Sequence, residues 1–169
     1  MSAPPDVVTR LALLQQSTAA LRLYALVDGV QYRAQCGEPC TAREGFHSLF
    51  AGTPDAALAH AGPWLIDAEH VGARLVDTLA AMEQAVPAVS WLIAAQTLEG
   101  LAQLLQLNLD IELPDGRTAL LRFWDPRVLV NLAEVLEPVQ REKFFTHIHE
   151  WHLLHKGQRV WIGRQHAQA

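Results

Sequence analysis

Residues 109–129 read "LDIELPDGRTALLRFWDPRVL", and their reading decides what kind of fold the chain can adopt. "LDIEL" and "RTALLRFW" are strand-forming runs joined by "PDG", whose proline fixes one backbone angle while the glycine supplies the positive φ of a tight turn. An antiparallel hairpin at about 109–124 follows. Asp125 then stands where a helix cap belongs, and Pro126 takes the first helical position, where its missing N–H costs nothing. Val128, Leu129, Leu132, Val135 and Leu136 fall on one narrow helical face that must pack against something.

Upstream, the chain alternates. "DVVTRLALLQQSTA" predicts a first helix and "LRLYALVDG" a strand ending at Asp28-Gly29. Residues 31–42 read as a loop, "AREGFHSLF" and "PDAALAHAG" as short helical pieces, and "PWLIDA" as a brief strand. Val71, Leu75, Leu79, Met82 and Val86 mark one helix face. "AVSWLIAA" is a short apolar run rich in β-formers, expected to be a strand covered on both faces. Thr97 caps a helix whose buried stripe is Leu98, Leu101, Ala102 and Leu105. Downstream of the hairpin two helices are expected, the second running through "VQREKFFTHIHEWHLLH". The fold class is α/β: a single mixed-sheet layer with helices packed on it. No low-complexity linker or internal repeat divides residues 1–169, which read as one domain ending in a short basic tail, 156–169, expected to be a solvated terminus.

Composition narrows the function classes. A chain of 169 residues buries roughly 70 % of its unfolded surface without help from a metal or disulfide. No apolar run approaches the ~20 residues that cross a bilayer, so no membrane insertion is expected. "MSAPPDVVTR" lacks the basic flank and apolar stretch of a secretory signal, which makes the cytoplasm the expected compartment. A net charge of −5 gives no long-range pull on phosphate backbones, and nucleic acid is not an expected partner. Cys36 and Cys40 have three residues between them rather than the two of redox and zinc motifs, and read as free thiols.

The charges at the end of the hairpin ask for an explanation. Asp125 has a local one, because its carboxylate satisfies unpaired amides and complements the helix dipole, together worth about 1 kcal/mol. Arg122, read as lying inside an apolar strand, needs a carboxylate to receive its donors. Asp125 is the near candidate and Asp28 the distant one, and spacing does not choose between them. Arg127 in the first turn of a helix opposes the dipole, so a carboxylate or a bound partner must compensate it.

The succession "LYALVDG", "PWLID", "SWLIAA", a "PDG" hairpin, "RFWDPRVL" and "FFTHIHEW" resembles the adaptor, or effector-chaperone, family of the bacterial type VI secretion system, long catalogued as a domain of unknown function. The resemblance runs from about residue 21 to 151. Its most specific part is "RFWDPRVL", in which Trp124 stands where tyrosine is more usual. An indole N–H cannot accept a hydrogen bond as a phenol can. The resemblance implies a protein without catalytic chemistry that binds a secreted toxin effector in the producing cell and delivers it to the spike tip protein. Under it, Arg122, Trp124, Asp125, Arg127 and Asp28 form a structural junction or partner-binding face, and no catalytic residue, metal or cofactor is implied.

Two chemistries compete with that expectation. His147, His149, His152 and His155 crowd one predicted helix, but at 1.5 Å rise per residue His149 and His155 stand about 9 Å apart along the axis, so the three at i, i+3 and i+6 cannot close on one ion and only a pair could bind it. "HEWH" has its histidines three apart rather than the four of zinc proteases. On that helix Phe144, Phe145, Ile148 and Trp151 form the apolar centre. A small hydrolase or metalloenzyme would otherwise draw on Asp28, Asp67 and Asp125, all read at strand ends, the usual place for chemistry in α/β sheets. Each also has a turn or cap role. Ser90 and Ser48 lack the frame of a nucleophile elbow, and Gly29, Gly37 and Gly45 are too scattered for a phosphate loop. Of five tryptophans, Trp161 is the candidate for a binding surface, or else part of a tail strand folded back on the body.

Overall fold

In the computed structural model, which describes residues 3–163 and 167–168, one seven-stranded sheet carries helices on both faces. In chain order the elements are α1 (Pro5–Gln15), β1 (Arg22–Asp28), α2 (Gly29–Cys36), β2 (Phe46–Ser48), a 3-10 helix (Ala56–Ala61), β3 (Pro63–Asp67), α3 (Ala73–Ala85), β4 (Val89–Ala94) and α4 (Leu98–Gln106). There follow β5 (Asp110–Glu112), β6 (Thr118–Leu120), α5 (Pro126–Val135), α6 (Pro138–Phe145), β7 (Glu150–His155), β8 (Gln158–Gly163) and β9 (Ala167–Gln168). The sheet order is β2-β3-β1-β4-β7-β8-β9, and β5-β6 form a separate ribbon.

Side chains of the central strands alternate between two cores, as the period of two requires. Tyr24, Leu26, Leu92 and Trp151 face the core completed by α4 and α5, while Leu23, Ala25, Val27, Trp91 and Ile93 face the core completed by α1, α2 and α3. "SWLIAA" is therefore a strand covered on both faces, as its composition predicts. The α/β class holds, but the expected mixed sheet is antiparallel throughout. β3 and β4 run the same way, joined through α3, but β1 lies between them and pairs antiparallel with both. Every neighbouring pair in the sheet is antiparallel.

The ribbon β5-β6 is the expected hairpin, with Gly116 at φ +83° closing its turn, though its ladder is only three residues long. Two helices do follow it. The second stops at Phe145, and what reads as its histidine-rich continuation is the strand β7. Phe144, Phe145, Ile148 and Trp151 match helical spacing, but Glu150, Trp151, His152 and Leu153 alternate with period two between the cores, and burial of both faces favours the strand. β7 turns into β8 through Lys156 and Gly157, both at positive φ, the geometry of a two-residue hairpin.

Three other readings need correction. Within the expected loop 31–42, residues 31–36 belong to helix α2, started by Asp28, whose carboxylate accepts from the Val30 and Gln31 amides; a helix that buries only Gly29 and Tyr32 leaves no apolar stripe to read. "FHS" is a strand at the sheet edge, not a helical piece, held by pairing with β3. The basic tail is not a solvated terminus over its described part, since Arg159 sits in β8; Arg164 lies outside the described residues.

Candidate functional site

β6 ends at Leu120, so Arg122 lies beyond the ladder and not inside a strand. Its side chain is 58 % exposed, which removes the expected cost of a buried guanidinium. Its nearest carboxylate is the distant candidate: Nη2 lies 3.7 Å from Oδ2 of Asp28, across the fold. The guanidinium also lies 5.7 Å from the ring centre of Trp124. Asp125 is occupied by Arg127. Its Oδ1 accepts from the Arg127 amide at 2.9 Å, capping α5, while Nε and Nη2 of the same arginine donate to the carboxylate at 3.1 and 2.8 Å. Burial pushes the Asp125 carboxyl up, but the hydrogen bonds from Arg127 and the charges of Arg127 and Arg122 outweigh it and hold the group below its ordinary range. The carboxylate that starts the helix thus also cancels the cation that would oppose the helix dipole.

Beneath these charges the chain is aromatic. Trp124 is buried edge-on to Phe50 and Phe123, at 5.9 and 6.0 Å between ring centres, and Phe123 packs edge-on to Trp151. Among the described residues the buried Trp124 indole N–H has no hydrogen-bond partner, the price of an indole at a position where a hydroxyl could both donate and accept. Asp28, Arg122, Trp124, Asp125 and Arg127 are therefore brought together: a rigid aromatic base, two engaged carboxylates and two guanidiniums in solvent, with Arg127 69 % exposed. Trp161 is not among them. It sits in β8, against the Arg10 guanidinium at 5.3 Å and stacked on His152, so it belongs to a tail strand folded back on the body.

The other chemistry-bearing residues are dispersed. Asp67 pairs in register with Tyr24 at the start of β1, whereas Asp28 ends that strand, so the two stand at opposite ends of the sheet, about 13 Å apart at the rise of a strand. Strand ends converge on one rim in a parallel sheet, not in an antiparallel one. Asp67 accepts from the Glu69 amide at 2.9 Å and contacts Nδ1 of His70 at 2.8 Å. Ser48 accepts from the Phe50 amide and buried Ser90 from the Trp151 indole. Burial pushes the Cys40 thiol up to about 12, assisted by neighbouring Cys36. Among the described residues no three His, Cys, Asp or Glu side chains are grouped to hold a metal ion.

Sequence reasoning missed a second charged cluster on the far side of the sheet. Arg10 of α1 donates to Glu150 of β7 through Nε at 2.9 Å and Nη2 at 2.6 Å, and His152 Nε2 contacts the same carboxylate at 2.9 Å. Burial raises the Glu150 pKa, but the hydrogen bonds from His152 and Arg10 outweigh it and the group is held down. Arg159 of β8 reaches Asp6 at 2.8 Å and Glu83 at 2.5 Å. For Glu83 burial prevails over that pairing and raises its pKa. The available signal was the alternation of polar Glu150 and His152 with Trp151 and Leu153, which marks a strand with a polar second face.

A family model described as a domain of unknown function (DUF4123) matches residues 23–143, more than half of the chain. The chain belongs to DUF4123. The junction lies inside the match and the second cluster mostly outside it, since α1 precedes residue 23 and β7–β8 follow residue 143. No curated protein and no solved structure matches the chain.

Proposed function

We propose that the protein is a non-enzymatic adaptor or chaperone that binds a type VI secretion effector in the cytoplasm of the producing cell and helps load it onto the spike tip protein. The observation that carries this reading is the state of the junction. Its carboxylates are spent on helix starts and ion pairs, while Arg122 and Arg127 hold their guanidiniums in solvent above a buried aromatic base. Such a surface, accessible cations over a rigid apolar base, suits recognition of a protein partner, where charges set partner choice and encounter rate. The sequence resemblance to effector chaperones supplies the class of partner. No helix among the described residues is long and apolar enough to cross a membrane.

The test is co-purification from the native cell. A secreted toxin and the spike tip protein should be retained by the wild-type chain, and Arg127→Glu should lose the toxin with an unchanged melting temperature. Stoichiometric metal in protein purified without added ions, or turnover of a hydrolysable substrate abolished by Asp28→Ala, would replace the adaptor by an enzyme.

A further inference from the structure

Between α4, the β5-β6 ribbon and the α5–α6 pair runs an open apolar groove of about 700 Å³. Its walls are Leu104, Leu132, Leu136 and Phe144, all half-buried, with Leu107 and Ile111 exposed at its edge. Leu107 is 78 % exposed, and outside the lining Val135 of α5 and Val139 of α6 are exposed as well. Large aliphatic side chains gathered on one concave surface mark a place where another molecule sits.

We propose that this groove receives an amphipathic helix of the client protein, with an acidic residue flanking its apolar stripe. The inference rests on the adaptor reading and adds where the client docks and what it must present. The form of the occupant follows from the walls. The long ones are helices whose backbone groups are already bonded internally, and the β5 edge is only three residues long, so an extended segment would bury most of its own amides unpaired. A helix arrives with its backbone satisfied and lays apolar residues at i, i+3 or i+4 and i+7 into such a groove. The flank follows from the rim. Lys143 and His147 come from the α6 side and Asp110 from the β5 side, so the groove carries its cation on one element and its anion on another. A client helix with a carboxylate toward α6 pairs with Lys143, and that pairing fixes which way round it lies.

The experiment uses the full chain in its native cell, with a photo-crosslinking phenylalanine analogue in place of Leu107 in one version and of exposed Val8, on α1, in another. Irradiation should join position 107, and not position 8, to a segment of the co-purifying toxin that carries apolar residues every three or four positions and an acidic flank. A labelled synthetic peptide of that segment should then bind the purified protein, and Leu136→Glu should weaken binding by at least about tenfold. Lys143→Glu, at an exposed position that leaves the fold intact, should weaken it several-fold, and replacing the peptide's acidic residue by lysine should restore it. Crosslinking of position 107 to a second copy of this chain would overturn the proposal, as would a crosslinked segment without helical periodicity. A toxin that co-purifies but crosslinks only elsewhere would also overturn it, leaving the adaptor reading intact. Absence of any toxin from the wild-type purification would remove both.

Discussion

Asp125 and Arg127 are two residues apart in sequence and pair at the surface, whereas Glu150 and Arg10 are 140 apart and pair beneath α1. Both are carboxylate–guanidinium contacts, but their surroundings give them different weight. At the junction the arginine is mostly in water, which screens the attraction and leaves the carboxylate's capping bond as the main gain. In the cluster under α1, the Glu150 and His152 side chains are each 4 % exposed, so a missing partner would leave a buried polar group with nowhere to turn. Where the charges lie, more than how many there are, decides whether they hold the fold or face a partner.

The strongest way to break this contrast is Glu150→Ala, which strands Arg10 and buried His152 together. Denaturant titration should show a loss of about 3–5 kcal/mol. A loss as small as that expected at the junction would make the two clusters equivalent. The same substitution sharpens the pH dependence. Glu150 and Asp125 have folded pKa values below their ordinary 4.5 and 3.8, so their contribution is complete above those values and disappears as pH falls through the folded ones. The wild type should lose stability on acidification below about pH 4.5, and Glu150→Ala should lose it less steeply.

Next in size is Arg159→Met, which leaves buried Glu83 without its cation and should cost about 1–3 kcal/mol at neutral pH. Glu83 already has a raised pKa, so it binds its proton more readily in the folded state. The variant's deficit should therefore shrink as the pH is lowered and the carboxyl becomes neutral, which parallel melts at pH 7 and pH 5 would reveal. Asp125→Ala at the junction should cost only about 1 kcal/mol, the usual value of a lost helix cap. Smallest of all, Arg127→Glu should leave the melting curve where it is while changing partner retention.

Much of this was legible in the sequence for a physical reason. The hairpin, the capped start of α5, the helix α4 and the doubly covered strand β4 depend on interactions within a few residues, and those interactions leave a pattern. The segments misread are those whose conformation is imposed from outside. "FHS" is a strand because β3 lies beside it, and "EWHLL" is a strand because cores exist on both of its faces. The assignment of Arg127 to Asp125 is a local matter. The choice of Asp28 for Arg122 needs β1 and the junction to be neighbours in space, and spacing along the chain carries no such information.

Taken alone, the amino-acid order determined the α/β class, the hairpin and the Asp-Pro start of the helix after it, and the pattern that the DUF4123 family model matches, because turn chemistry, caps and periodicity act over short distances. Only the tertiary structure decided that the strand-end aspartates diverge, that Arg10, Glu150 and His152 meet, and that an apolar groove stays open between α4 and α5–α6. Those outcomes depend on strand direction and on which faces remain uncovered after packing, and contacts over more than a hundred residues are set by the whole fold rather than by any stretch of it.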